Sequence, residues 1–260
     1  MPAKLKVAPF AKPAKPRMTL AEAMSALEQA GSEQTRKTYL RHGASEPLFG
    51  VSFATLKTLL KKIGVDHELA LALWDSGNFD ARNLAVKVAD PALMSAADLD
   101  RWARSSTMRG CGNYVAALAA EGPHAMALAA RWLQATDRPE AATGWLLVAA
   151  LAMTDEHVAE AWLHERLAEI EQTIHSAPNA QREAMNHALI MIGCHSPELH
   201  SMATAAAKRI GKVSVDHGDT ACKTADAASY IEKTWTHSLS KGFASPAAHE
   251  RSRESMRLRC

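Results

Sequence analysis

The chain has 260 residues, 47% hydrophobic but only 5% aromatic, a content that excludes wholesale disorder. No apolar run approaches the length of a membrane span, so no membrane partner is expected and the protein is placed in the cytoplasm. Lys plus Arg number 30 against 28 Asp plus Glu, a formal charge of +2 that neither demands nor excludes a nucleic-acid partner; the distribution of the charges carries more information.

Residues 1–18 carry Lys4, Lys6, Lys12, Lys15 and Arg17 among prolines, with no acid, and read as a flexible basic arm without the apolar core of a signal peptide. Thr19-Leu-Ala-Glu22 is a capping box that opens a first helix, and Gly31 ends it. Ser32 caps a second helix to about Arg41. Ser52 opens a third, with Phe53, Leu56, Leu59, Leu60 and Ile63 on one face and Gly64 at its end. Asp66 caps a helix through Trp74, another spans 80–88, and Asp90-Pro91 closes it. Ser95-Ala-Ala-Asp98 is a second capping box, leading into Leu99 and Trp102. Further helices are expected over 114–120, 123–134 and 139–153, two of them starting at a proline suited to a first helical turn. Helices over 155–174, 179–192, 197–210 and 227–237 follow. Residues 241–260 hold Arg251, Arg253, Arg257 and Arg259 and read as a basic C-terminal tail.

Helix follows helix with short loops, and alanine supplies much of the apolar share, which suits close helix packing. No run founds a sheet. Two helices recur at roughly 40 residues, the spacing of HEAT-like repeats. The expected fold is therefore all-α, a HEAT-like α-α superhelix built as a solenoid of antiparallel helical hairpins over residues 19–240, with a closed helical bundle as the alternative. A solenoid of this kind presents a concave surface to a long partner.

Four cysteines, Cys111, Cys194, Cys222 and Cys260, form no CxxC pair, and reduced thiols are expected. Asp216-His217-Gly218-Asp219-Thr220-Ala221-Cys222-Lys223 is the chemically densest segment. It reads as a structural loop, as a DNA-contacting or catalytic loop, or as a metal site of Asp216, His217 and Asp219. No metal or other cofactor is assigned. Glu160 and His164 share a helix face, but no HExxH or clear third ligand accompanies them, so they read as a solvated face. Gly110-Cys111-Gly112 lacks the GxGxxG spacing of a nucleotide loop and reads as a helix break that lets backbones approach. Arg36, Lys37, Arg41, Lys57, Lys61 and Lys62 form one basic group, and Lys208, Arg209 and Lys212 a second, with Lys223 beside it. Spaced along a curved solenoid, they would suit the phosphates of double-stranded DNA; exposed helix faces carry such residues too. Trp74, Trp132 and Trp162 fall at apolar spacing and read as core, whereas Trp102 and Trp145 fit either core or site.

Several segments in order resemble the AlkD-type DNA alkylation-repair family: Pro47-Leu-Phe-Gly-Val51 with Leu56-Lys57, Leu73-Trp74 with Asp80-Ala-Arg82-Asn-Leu-Ala85, Arg182 to Leu189, and Val215 to Lys223. The resemblance spans about 33–233. It implies a HEAT-like superhelix holding duplex DNA on its concave face, and excision of N3- or N7-alkylated purines. It also implies a carboxylate that stabilises an oxocarbenium ion, beside aromatic walls. The chain departs from that pattern at three places. Ser106 stands four residues after Trp102 where the family has an aspartate. His187 stands where active members have a second tryptophan. The family's basic position falls near Gly144 or Trp145. Weak or absent excision follows, with Trp102, Ser106, Trp145, His187, Asp216, His217 and Asp219 as candidate catalytic residues. A DNA-lesion or DNA-structure binder without catalysis, and a protein-interaction scaffold, are the alternatives. Asp98 shares a face with Trp102 and reads as a residue of its own helix cap.

Overall fold

The computed structural model describes residues 17–106, 109–135 and 138–259. Among them are the helices α1 (Leu20–Ala30), α2 (Glu33–Arg41), α3 (Phe53–Ile63), α4 (His67–Asp75), α5 (Phe79–Val88), α6 (Ala96–Arg104), α7 (Arg109–Ala120), α8 (Ala125–Leu133), α9 (Pro139–Thr154), α10 (Glu160–Thr173), α11 (Asn179–Ile192), α12 (Pro197–Ile210), α13 (Ala227–Ser240) and α14 (Pro246–Arg251). No strand occurs among the described residues. The expected arm lies outside them up to residue 16. Arg17 is in view and pairs with Asp66 (2.6 Å) and Glu68 (3.1 Å).

The start signals work as chemistry. The side chains of Thr19, Ser32, Ser52, Asp66, Ser95 and Asp226 each accept a backbone N–H from the first turn of the helix they precede. Some boundaries differ from expectation. α7 begins at Arg109, so Gly110-Cys111-Gly112 lies inside a helix instead of breaking one. α8 starts at Ala125, two residues after the proline expected to open it. α10 starts at Glu160, because the Asp155 N–H closes α9 on the Leu151 carbonyl (3.0 Å) and a turn follows.

Consecutive helices pair across two rows: α4 with α5, α6 with α7, α8 with α9, α10 with α11, and α12 with α13. The odd row touches throughout, α3 to α5 to α7 to α9 to α11 to α13, while α6, α8 and α10 pack less closely with one another. A tight row facing a splayed one curves toward the tight side, so the odd row is the inner wall. Two hydrophobic clusters fill the space between the rows. Leu147 and Leu151 of α9 join the first, and Trp145, Val148, Ala149 and Ala152 of the same helix join the second. Close approach to α8 occurs at Gly144, where an added Cβ would stand 3.0 Å from the Trp132 Cβ and 3.1 Å from the Leu133 nitrogen.

One buried carboxylate organises the N-terminal third. Asp80, 1% exposed, accepts from the backbone N–H of Phe49 (2.6 Å), Gly50 (3.0 Å) and Val51 (2.8 Å). The Phe-Gly-Val segment therefore lies against the first turn of α5. Gly50 takes φ +80° there, where a Cβ would meet the Arg36 nitrogen and the Ser32 carbonyl oxygen at 2.5 Å. Asp80→Ala strands these donors. It is expected to destabilise the chain by about 3 kcal/mol or more, read from denaturant unfolding. An unchanged midpoint would remove Asp80 from this role.

Candidate nucleic-acid interface

α7, α9 and α11 run side by side in one direction, as the lining of two clefts shows. Their N-terminal halves border an open cleft of about 420 Å³: Gly112 and Asn113 of α7, Ala142, Thr143 and Leu146 of α9, and Asn179, Glu183 and His187 of α11. Arg41, His42, Ser106 and the loop residues Asp216, His217, Gly218 and Thr220 complete it. Four residues singled out from the sequence, Ser106, His187, Asp216 and His217, thus come together. Their C-terminal halves border a second groove of about 910 Å³, whose other side is formed by residues 250–259.

The 211–226 loop is held to α11 by side chains of that helix. Asn179 Nδ2 donates to the Asp216 carbonyl (2.8 Å) and Asn179 Oδ1 accepts from the Asp216 N–H (2.7 Å). Arg182 donates to the Ser214 carbonyl (2.8 Å), and Asn186 to the Ala225 carbonyl (3.0 Å). Within the loop, the Asp216 carboxylate accepts the Gly218 N–H (2.8 Å), and His217 Nε2 meets Thr224 Oγ1 at 2.9 Å. Asp219 is exposed and does not line the cleft. Among the described residues no cluster of three or more His, Cys, Asp or Glu is placed to hold a metal ion, so the metal reading of Asp216, His217 and Asp219 does not assemble.

The tryptophans are placed otherwise than a pair of aromatic walls requires. Trp102 is fully buried and stacks on Trp74, with ring centroids 4.2 Å apart and planes 5° from parallel. Trp145 is buried in the second core cluster. Both belong to the packing between the rows, because the apolar stripes of α6 and α9 carry them there. Ser106 lies beyond the end of α6, and its hydroxyl donates to the Trp102 carbonyl (2.7 Å). The two thus share no helix face toward the cleft. Asp98 accepts from Ser95 and pairs with Arg101 (3.0 Å), as a residue of the helix start.

The predicted basic groups divide. Arg36 pairs with Glu46 and, at 3.4 Å, with Glu33, which also takes Lys37 at 3.7 Å. Arg209 pairs with Glu171 (2.8 Å). Lys208 and Arg209 sit on α12 in the outer row, not on the inner wall. Lys57, Lys61 and Lys62 lie on α3, outside the lining of the 420 Å³ cleft. Lys212 and Lys223 flank His217 in an adjoining cleft of about 450 Å³ and are nearest to the candidate site. Of the first basic group Arg41 alone lines the 420 Å³ cleft, and sequence reasoning missed His42 and Glu183. Glu183 was legible in principle, one turn before His187 on the same face of α11.

The segment expected as a tail is structured. α13 runs to Ser240, α14 follows, and Arg257, 4% exposed, pairs with Glu121 (2.7 Å). Arg259 and Arg253 both pair with Glu250, so these charges are engaged within the fold.

Two rows of antiparallel helices with a continuous inner wall make this a HEAT-like repeat protein. The chain belongs to the DNA alkylation repair enzyme family, whose model matches residues 23–230. It is 29% identical over 218 residues to an uncharacterized protein of Listeria innocua, covering 80% of this chain and 93% of that one. An uncharacterized protein of Listeria monocytogenes is also 29% identical, over 214 residues, with the same coverage. Among solved structures it is similar, with TM-score 0.77 and 32% identity over 86% of this chain and 95% of the other, to a member of a family described as related to the HEAT-like repeat DNA glycosylases, with affinity for branched DNA structures.

Burial lowers the pKa of His187 from its ordinary 6.5, so the ring is neutral at pH 7. The unfolded chain therefore takes up a proton at this position first as pH falls. Stability from this group is fully present above pH 6.5 and is lost progressively below it. Wild type is expected to lose more unfolding free energy than His187→Gln between pH 7.5 and pH 5.5; equal losses would contradict the assignment.

Proposed function

We propose that the chain binds DNA along its inner wall, with the 420 Å³ cleft holding a phosphate or an unstacked nucleotide. The observation that carries this reading is the start of α11 on the cleft: Asn179 and Ala180 line it, and the helix begins without a side-chain hydrogen bond at its cap. The first-turn backbone N–H groups and the positive dipole end favour an anion there. Arg41 adds a fixed cation, and Lys212 and Lys223 line the adjoining cleft that shares His217. Family membership and the branched-DNA affinity of the structural neighbour support nucleic acid as the partner and favour branched forms.

Base excision is the less supported activity. Ser106 carries no negative charge to stabilise an oxocarbenium ion, and its hydroxyl is turned to the Trp102 carbonyl. Glu183 favours a second reading, since its carboxylate borders the cleft beside Asp216. In that reading it replaces the missing aspartate in the release of N3- or N7-alkylated purines.

Gel shifts of a four-way junction and a duplex across a salt series test binding. A log–log slope of about −0.9 per phosphate contact is expected. Lys212→Glu with Lys223→Glu should weaken both complexes several-fold, as counted from about two lost contacts. No shift at low salt would favour the protein scaffold instead. Lys57→Glu with Lys61→Glu tests whether α3 extends the interface; unchanged affinity confines it to the cleft.

Release of N7-methylguanine from methylated DNA is expected to be weak or absent. Robust release by wild type that disappears in Glu183→Gln would establish the second reading and overturn the first.

A further inference from the structure

The 420 Å³ cleft and the 910 Å³ groove meet at a saddle of three residues, one from each of α7, α9 and α11. Asn113, Leu146 and His187 each line both spaces, and all three are half-buried. Other polar side chains of α11 are spent on the fold: Asn179, Arg182 and Asn186 hold carbonyls of the 211–226 loop. Asn113 and His187 are not, since neither has a hydrogen bond or ion pair with another described residue. An amide donor, an amide acceptor and the two nitrogens of a neutral imidazole are thus left available on either side of an apolar surface. Gly112 keeps the floor beside them low, because an added Cβ would already touch the Leu146 Cδ1 at 3.5 Å.

The spacing along α11 supplies a second argument. From Ala180, in its first turn, to His187 is a rise of about 10 Å at roughly 1.5 Å per residue. That is the span of one nucleotide from its phosphate to the far edge of its base. An anion held at the start of α11 therefore brings its own base to the saddle. A base suits this depth where a phosphate does not. The carboxylates of Glu183 and Asp216 border the cleft and repel a further anion, but leave a neutral sugar and ring undisturbed. Leu146 meets the apolar face of a base, and an asparagine amide matches the adjacent N7 acceptor and N6 donor of adenine.

We propose that Asn113 and His187 read opposite edges of an unpaired nucleobase lying over Leu146, with adenine preferred, while its phosphate sits at the start of α11. The proposal rests on the DNA-binding reading and names the partner of that same cleft: DNA with an extrahelical nucleotide, as at a bulge or branch point.

Fluorescence-anisotropy titrations of the full chain test this with one duplex carrying a single unpaired A, C, G or T, an unpaired abasic sugar, or no bulge. The unpaired adenine should bind about fivefold or more tighter than the abasic sugar, which keeps the phosphate and lacks the base. Equal affinity for those two overturns the proposal. Asn113→Ala should lose the adenine preference, while its affinity for the abasic bulge and its salt slope stay those of wild type, because no phosphate contact is removed. His187→Phe keeps a ring at the saddle without its nitrogens, so it should retain part of the gain over the abasic sugar and bind the four bases alike. An unchanged preference in either variant removes that residue from the proposal. Wild type that binds every bulged duplex without regard to the base refutes this inference alone, whereas no binding to any of these DNAs refutes the DNA reading as well.

Discussion

α9 is the constraint on which the rest of the structure depends. Its sixteen residues hold a single charge, Glu140, at the first turn, and are otherwise apolar or small on every side. Such a helix is stable only when covered all round. It is covered by α6, α7, α8, α11 and α14, so it fuses the two core clusters into one body. Gly144 permits the close approach of α8 by leaving room for its backbone. Because α7 and α11 pack on either side of α9 in the same direction, their ends are brought level. The cleft forms at their starts and the groove bordered by residues 250–259 at their finishes.

That alignment separates the inner wall electrostatically. Helix N-termini favour anions and C-termini favour cations. The open cleft lies at the N-terminal ends, beside Arg41, His42 and His217. The groove at the C-terminal ends is bordered by a segment bearing Arg251, Arg253 and Arg259. Arg257 applies the same rule to α5 by binding the carbonyls of its last turn. Arg257 is therefore a counter-charge to a helix end, while Arg253 and Arg259 pair with Glu250. The carboxylates of Glu183 and Asp216 temper the positive character of the cleft, so it is a polar site and not a uniformly cationic one.

The segments that carry the family resemblance do much of their work on the scaffold. Asp80 and the Phe49-Gly-Val51 segment meet through three backbone hydrogen bonds although they lie thirty residues apart in sequence. Arg182 and Asn186 spend their side chains on carbonyls of the 211–226 loop, which positions His217 and Asp216 at the cleft. Ser106 lies outside these supports, so the residue at that position can vary without disturbing them.

The sequence by itself determined the helices, their caps and the stacked all-α architecture, since these rest on local periodicity and on side chains that bond within a few residues. Thr19, Ser32, Asp66 and Ser95 cap as their sequence context requires. It also marked Ser106, His187, Asp216 and His217, which the fold gathers into one cleft. Only the tertiary structure decided which side of each helix faces the inner wall. An apolar stripe fixes the buried face, but residues on the remaining faces are sorted by the curvature of the rows. Trp102 therefore went to the core, Lys208 and Arg209 to the outer row, and Arg41 and Glu183 to the cleft. The clasp between Lys87 and Arg257 was the least legible feature, because its partners are 170 residues apart and each is, taken alone, an ordinary surface cation.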